Sequence, residues 1–116
     1  MSKPFDKEAA ALRDIQDNIE AIQGFVAGLD LEAFKSNRLL FYGVVRGLEI
    51  VSEASRKVSP QLKALHPTID WQQIADAGNV FRHMYGLVKP SRVWETVRDH
   101  LPVLLSVVRH ELARRN

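Results

Sequence analysis

Apolar side chains recur every three or four residues through the first part of the chain, and this is the period of an α-helix. The stripe in residues 6–29 consists of Ala11, Leu12, Ile15, Ile19, Ile22, Phe25 and Val26. Gly28 predicts the end of this first helix, because glycine commonly terminates helices. Asp30 predicts the start of the next one, because its carboxylate can cap exposed backbone N–H groups.

The second predicted helix covers residues 31–58, LEAFKSNRLLFYGVVRGLEIVSEASRKV, and it is apolar on more than one side. A helix with two apolar faces lies inside a bundle or at a dimer interface. Pro60 then marks a break, and the segment SPQLKALHPTID, with two prolines, is expected to hold a short turn of helix at most.

Two further helices complete the prediction. Asp70 can cap a third helix that reaches about Leu87, and Ser91 can cap a fourth that Pro102 divides or kinks. No segment alternates apolar and polar residues as a strand would. The pattern therefore predicts an all-α fold, an antiparallel four-helix bundle with a short fifth helix allowed, in a single domain of residues 1–116.

Composition narrows the class of protein. Of the 116 residues, 46% are apolar and 26% are charged, as in a soluble globular domain, and a small helical domain often gains stability by dimerising. The absence of cysteine excludes disulfides and thiolate metal sites and fits a reducing compartment. The apolar runs LLFYGVV and LPVLLSVV are too short to span a bilayer, and MSKPFDKEAAALRD lacks a signal-peptide core. We expect a cytoplasmic protein.

Charge gives only a weak indication of a nucleic-acid partner. The formal net charge is +2, whereas proteins that bind nucleic acid through phosphate contacts usually carry a larger excess. The C-terminal segment RHELARRN is locally basic. It can complement a helix dipole, or it can form a phosphate-binding patch.

The segment AGNVFRHMYG, residues 77–86, gathers the side chains best suited to chemistry. Asn79 and His83 are four residues apart and so share one helix face, with Arg82 on the same turn and Tyr85 two residues further on. Imidazole is the natural general base near neutral pH, and a cation can stabilise a charged transition state. The set suits metal-independent cleavage of a phosphodiester, although a partly buried, hydrogen-bonded histidine would show the same spacing.

Other candidates carry less information. His66, His100 and His110 are far apart in sequence and show no metal-ligand spacing, so we expect no metal site and no cofactor. Glu53 is either an exposed charge at the edge of the long helix or a buried acid that orients a cation or histidine. Trp71 and Trp94 are expected to be core or interface aromatics.

Four motifs in a fixed order resemble those of the HepT-type HEPN family. SEA at 52–54 resembles the family's G-E-A, and HPTIDW at 66–71 resembles P-x-[I/V]-x-W. RHMY at 82–85 resembles H-x-Y, and VWETVRDHLPVL at 93–104 resembles V-W-x-x-V-x-x-x-L-P-x-L. The resemblance implies a HEPN-like helical fold, a homodimer, and a toxin found beside a minimal nucleotidyltransferase antitoxin.

The resemblance also implies an activity and its residues. It implies metal-independent RNA cleavage at a site shared across the dimer. The family motif begins with an arginine, followed by four residues of which the first is usually asparagine. A histidine comes next, then one residue of any type, and then a tyrosine. Asn79, His83 and Tyr85 match its last three defined positions, Tyr85 being the implied site of adenylylation by the nucleotidyltransferase. Glu53 would lie on the helix that faces the site.

The sequence departs from this motif at Gly78, which stands at the arginine position. Arg82 could act as a displaced cation, although it points about 100° away from His83 on an ideal helix. A glycine inside a helix costs about 1 kcal/mol relative to alanine, so Gly78 predicts a close approach caused by packing or by a ligand. On sequence alone, Gly78→Arg is expected to raise ribonuclease activity.

Two functions therefore remain. One is a ribonuclease toxin neutralised by a nucleotidyltransferase antitoxin, with His83, Arg82 and Asn79 as catalytic residues and Glu53 in support. The alternative is a non-catalytic, nucleotide-binding helical adaptor for a nucleotidyltransferase, which the replacement of the arginine by Gly78 favours.

Overall fold

The computed structural model describes residues 5–83 and 85–115, except for the side chain of Tyr85. The helices, in chain order, are α1 (Lys7–Val26), α2 (Leu31–Lys35), α3 (Arg38–Ser55), α4 (Pro60–Leu65), α5 (Trp71–His83), α6 (Pro90–Glu95) and α7 (Leu101–Arg114). A 3₁₀ turn covers Tyr85–Leu87, and a π-helical turn, Thr96–His100, joins α6 to α7. The described residues contain no strand, which confirms the predicted all-α fold.

Aspartate side chains begin three of the helices. Asp6 accepts a hydrogen bond from the backbone N–H of Ala9, and Asp30 accepts one from that of Ala33 at 2.8 Å. Asp70 caps α5 in the same way, 3.0 Å from the Gln73 nitrogen. Each cap satisfies an N–H group that has no partner within its helix. The predicted caps at Asp30 and Asp70 are thus confirmed.

The predicted second helix is wrong as a single element, because the chain breaks between α2 and α3. Asn37 is the N-cap of α3, and its side-chain oxygen accepts a hydrogen bond from the Leu40 nitrogen at 3.0 Å. Just before it, the Ser36 hydroxyl donates to the carbonyl of Ala33. Serine and asparagine compete in this way for backbone groups that a continuous helix would use.

The turn after α1 and the turn before α4 follow the chemistry of glycine and of proline, respectively. Gly28 adopts a φ of 75°, a left-handed conformation that glycine reaches without steric cost, just after α1 ends. Pro60 occupies the first turn of α4, where its missing N–H is no loss, and the Ser59 hydroxyl caps the Leu62 nitrogen at 3.1 Å. The predicted short turn of helix is therefore a six-residue helix.

The predicted cap at Ser91 is wrong. The last helical segment begins earlier, at Pro90, with Lys89 as an N-cap residue that makes no side-chain hydrogen bond. Proline favours the first helical position because its φ is already helical. The predicted disturbance near Pro102 is present as the π-helical turn, in which the Leu101 nitrogen donates to the carbonyl of Thr96, five residues back.

The long helix α3 lies at the centre of the core. It packs against α1 on one side and α5 on the other, while α7 packs on α1 and α6 packs on α2. Gly47 allows the first of these contacts, since a Cβ at this position would lie 2.8 Å from Cδ1 of Ile22. Trp71 and Trp94 are both buried, as predicted, and the Trp94 ring lies 5.2 Å from that of Phe34. None of the described helices is long and apolar enough to cross a membrane.

The basic C-terminal segment is tied to acidic groups. Arg115 pairs with Asp6 and Glu8 at the start of α1, and Arg109 lies 3.3 Å from Glu20. Arg114 contacts Glu111 on the preceding turn at 3.1 Å. These pairs favour a structural role for the segment over that of a phosphate-binding patch.

Candidate functional site

The outer face of α5 carries the two polar residues singled out in the sequence. Asn79 and His83 are both exposed, and they lie on successive turns of the same face. Val80, beside them, is also 45% exposed. His83 is therefore accessible to a ligand, and the interpretation of it as a partly buried structural histidine is wrong.

The inner face of α5 approaches α3 closely at Gly78. The Ser52 hydroxyl oxygen accepts a hydrogen bond from the Gly78 nitrogen and donates one to the carbonyl of Ala75, both at 3.0 Å. Gly78 and Ser52 are buried. The predicted close approach is confirmed, and packing against Ser52 is its cause.

This contact gives a steric argument against the expectation that Gly78→Arg raises ribonuclease activity. A Cβ at residue 78 would lie 2.6 Å from Oγ and 3.0 Å from Cβ of Ser52. Side-chain atoms do not approach so closely, so either the Ser52 hydroxyl must rotate out of its hydrogen bonds or α5 must move away from α3. The variant would disturb the helix that carries His83 before its guanidinium could help.

Arg82 lies four residues after Gly78, so helix geometry places it one turn from the motif position on the same face. Its Nη2 atom lies 3.9 Å from the point where a Gly78 Cβ would be, so the side chain folds back by one turn along α5. None of the ion pairs among the described residues involves Arg82. Its guanidinium is thus not neutralised by a carboxylate, and it can receive an anion.

A cleft of about 350 Å³ opens beside Arg82 between α1, α3 and α5. Its other charged lining residues are Asp14, Arg46, Glu49, Glu53 and Lys57. Three acidic and three basic side chains line the cleft, so it provides a local cation at Arg82 without a broad positive field. Glu53 is exposed, which makes the buried-acid interpretation wrong, although it faces the same cleft as Arg82.

A second depression, of about 330 Å³, lies between α5 and the segment α6–α7. Apolar side chains such as Ile74, Phe81 and Leu104 form most of its wall, with His100 also in the lining. It lies on a different side of α5 from the cleft at Arg82, and no sequence motif indicated it.

The fold brings together two histidines that the sequence leaves far apart. The rings of His66 and His110 are 6.1 Å apart, and Nε2 of His66 lies 2.6 Å from the buried carboxylate of Glu111. Burial alone would raise the pKa of Glu111, but the hydrogen bond with His66 and the charge of Arg114 outweigh it and hold this pKa below its ordinary value. Among the described residues, no three His, Asp or Glu side chains are grouped to hold a metal ion.

Comparison with known proteins now decides the family. The family model described as Ribonuclease HepT-like matches residues 15–111. The chain belongs to the HepT-like ribonuclease family. The matched range contains α3 and α5, and with them Ser52, Gly78 and His83.

Three relatives illustrate the range of similarity within the HepT-like family. The protein named Probable ribonuclease HepT from Thermococcus cleftensis is 34% identical, over 80% of this chain and 84% of its own length. Putative RNase MJ1380 of Methanocaldococcus jannaschii is 28% identical over 80% of this chain and 85% of its own length. Putative RNase TTE0752 of Caldanaerobacter subterraneus is 28% identical over 89% and 92%, respectively. No solved structure matches the chain.

Two residues of the matched range, Tyr85 and Ser52, differ in how well the sequence pointed to them. The side chain of Tyr85 lies outside the part of the chain that the structure describes. Ser52 was not a candidate, and the only sequence signal for it is its place in SEA, where the resembling motif has glycine. Its contact with Gly78 joins positions 26 residues apart, which no local pattern reveals.

Proposed function

We propose that this HepT-like protein is a metal-independent endoribonuclease toxin of the cytoplasm, neutralised by a nucleotidyltransferase antitoxin. The observation that carries the proposal is the exposure of His83 at the position of the motif histidine. Asn79 lies one turn earlier on the same face, and the guanidinium of Arg82 is free of carboxylate partners among the described residues.

The proposed reaction is an internal transesterification of RNA. The imidazole of His83 accepts the proton of a ribose 2′-hydroxyl, and the 2′-oxygen forms a bond to the adjacent phosphorus. The bond from phosphorus to the 5′-oxygen breaks, and this oxygen takes up a proton from an acid. The products are a 2′,3′-cyclic phosphate and a 5′-hydroxyl, so the atoms balance without another reactant.

Arg82 and Asn79 have supporting roles in this proposal. Negative charge accumulates on the non-bridging phosphate oxygens in the transition state, and the guanidinium of Arg82 stabilises it. The amide of Asn79 donates a hydrogen bond to a phosphate oxygen or holds the imidazole ring of His83 in place. Glu53 faces the cleft beside Arg82 and limits where an anion can bind.

A homodimer would complete the site. The outer face of α5 presents an apolar side chain, Val80, next to His83 and Asn79, and a second copy of the chain could cover it. His83 of the second copy could then act as the acid that protonates the 5′-oxygen. The nucleotidyltransferase antitoxin would silence the site by transferring adenylate from a nucleoside triphosphate to the Tyr85 oxygen, with release of pyrophosphate.

The test compares wild type with His83→Ala on generic RNA in the presence of EDTA. His110→Ala is a matched control, because it also removes an exposed histidine, from α7 instead of α5. We expect wild type and His110→Ala to release fragments ending in 2′,3′-cyclic phosphate, and His83→Ala to release none. Equal inactivity of all three proteins at high enzyme concentration would refute the ribonuclease.

The alternative is a non-catalytic adaptor that binds a nucleotidyltransferase and presents Tyr85 or a nucleotide to it. The specific observation that favours it is the replacement of the motif arginine by Gly78, which Ser52 prevents from carrying a side chain. Under this alternative, wild type binds the nucleotidyltransferase but does not cleave RNA at any concentration. Co-purification combined with the RNA assay separates the two functions.

A further inference from the structure

Three positions along the facing sides of α3 and α5 form one connected arrangement: Ser52, Gly78 and Arg82. The Ser52 hydroxyl holds the Gly78 nitrogen and the Ala75 carbonyl at 3.0 Å each, and so fixes the middle of α5 against α3. Nη2 of Arg56 also donates to the Ala75 carbonyl, at 2.7 Å. The short separation of the two helices at this point is therefore built from specific hydrogen bonds.

This separation leaves room for a backbone at residue 78 but not for a side chain. The ideal Cβ of residue 78 would lie 2.6 Å from Oγ of Ser52, well inside van der Waals contact. After these two atoms of Ser52, the next nearest side-chain atom to that Cβ position is Nη2 of Arg82, at 3.9 Å. The guanidinium therefore lies over the backbone that a side chain at residue 78 would otherwise cover.

We propose that Arg82 replaces a cation from residue 78, and that Ser52 is the positioning residue that makes this replacement possible. The inference rests on the proposed ribonuclease function and names how its site obtains its positive charge. Ser52 keeps α5 close to α3, which excludes a side chain from residue 78. Arg82, four residues later on the same face, folds back over residue 78 and lines the cleft.

Two other features support the role of Arg82 as an anion-binding group. Its side chain is exposed, so it can meet a phosphate without further opening of the fold. By contrast, Arg46, which lines the same cleft, lies 3.6 Å from Glu49 and is partly neutralised. Of the two arginines that line the cleft, Arg82 is therefore the less neutralised and the more suited to bind a phosphate.

The arrangement predicts that the cation can be moved back to residue 78 only if Ser52 is removed at the same time. The first comparison is Arg82→Gln against wild type. Because Arg82 is exposed, its replacement should leave the fold intact, as circular dichroism can verify. We expect the rate of RNA cleavage to fall by about 10²–10³-fold, the typical effect of losing one transition-state stabiliser.

The second comparison is a rescue. Ser52→Gly combined with Gly78→Arg removes the hydroxyl that blocks residue 78 and supplies a new guanidinium. Adding this pair to Arg82→Gln should raise the rate of RNA cleavage at least tenfold above that of Arg82→Gln. Adding Gly78→Arg alone should not raise this rate. A purely structural role of Arg82 would not be rescued by an arginine elsewhere on the helix.

The outcomes separate this inference from the proposed function. Inactivity of both wild type and His83→Ala refutes the ribonuclease itself. Cleavage by wild type, its loss in His83→Ala, and a rate for Arg82→Gln within twofold of wild type refute the inference alone. If the triple variant does not fold, Arg82→Lys is compared with Arg82→Gln: partial retention of the rate by lysine supports a cationic role, and equal rates refute it.

Discussion

Glu111 and His66 are joined by a contact of 2.6 Å between Oε2 and Nε2, although 45 residues separate them in the chain. The carboxylate is almost fully buried, and Nη1 of Arg114 lies 3.1 Å from it. The Nε1 atom of Trp71 donates to the carbonyl of His66, at 3.2 Å, so the same residue links α7 to the start of α5. The far end of the helix that carries His83 is thereby anchored to α7.

Stability at acid pH should report on this anchor. The pKa of Glu111 is lowered in the folded state, so the carboxylate stabilises the fold at pH values above the ordinary glutamate pKa of 4.5. This contribution is lost as the pH falls through the lower, folded-state pKa. Glu8 acts in the same direction, because hydrogen bonds from Ser59 and the charge of Arg115 outweigh burial and lower its pKa too.

We therefore expect the free energy of unfolding to decrease as the pH falls from about 5 to 3, and to do so less steeply in Glu111→Gln. At neutral pH, the substitution should cost about 1–3 kcal/mol, since His66 and Arg114 lose a charged acceptor. Urea unfolding at a series of pH values measures both effects. A constant difference between the two proteins at every pH would contradict the assignment of the lowered pKa.

Two glycines of α3, one turn apart, should respond to alanine in opposite directions. A Cβ at Gly47 would lie 2.8 and 2.9 Å from two atoms of Ile22, which is fully buried, whereas a Cβ at Gly43 would meet Phe25 at an ordinary 4.0 Å. Gly47→Ala should therefore destabilise the protein by about 1–3 kcal/mol through overpacking. Gly43→Ala should stabilise it by about 0.5–1 kcal/mol through helix propensity.

Thermal and urea unfolding of the two variants give the sign of each change in the free energy of unfolding. Because the substitutions are identical and lie in the same helix, each is the control for the other. Stabilisation by both would show that α1 and α3 are further apart than the Gly47–Ile22 contact indicates.

The outer face of α5 should be required for association if the proposed homodimer covers His83. Val80 is 45% exposed beside this residue, so Val80→Asp should not destabilise the monomer by more than about 0.5 kcal/mol. In a dimer that buries Val80, the added charge would be desolvated, and the dimer should dissociate at least tenfold more readily.

In Val80→Asp, the association constant from sedimentation equilibrium and the rate of RNA cleavage should both fall. Leu65→Asp is a suitable control, because Leu65 is also exposed, at 61%, but lies in α4, before the opposite end of α5. An unaltered dimer in Val80→Asp, or a monomeric wild type that cleaves RNA at full rate, would place the association surface elsewhere or remove it from the mechanism.

The sequence predicts those features that depend on a few neighbouring residues. Asp30 and Asp70 are recognisable as caps because a carboxylate and the N–H groups that it binds lie within three residues of each other. The helical period likewise places α1 and the core face of α3. Local reasoning fails where two short-range preferences compete: Asn37 interrupts the expected long helix, and Pro90 displaces the expected start at Ser91.

The candidate site shows the same limit. Asn79 and His83 are predictable as neighbours because helix geometry alone fixes their relative placement. The reason for glycine at residue 78 lies in Ser52, on another helix, and so does the steric obstacle to Gly78→Arg. The direction of the Arg82 side chain was also unpredictable, because a long, flexible side chain follows the space that packing leaves for it.

The π-helical turn Thr96–His100 divides the last helical segment, residues 90–114, into two helices, α6 and α7. Helix α6, before the turn, packs on α2, and helix α7, after it, packs on α1. Pro102 has no backbone N–H, so at this residue no backbone hydrogen bond is donated from α7 to the turn. The π-helical turn thus separates two packing partners: the helix before it is held by α2, and the helix after it, with Glu111, is held by α1.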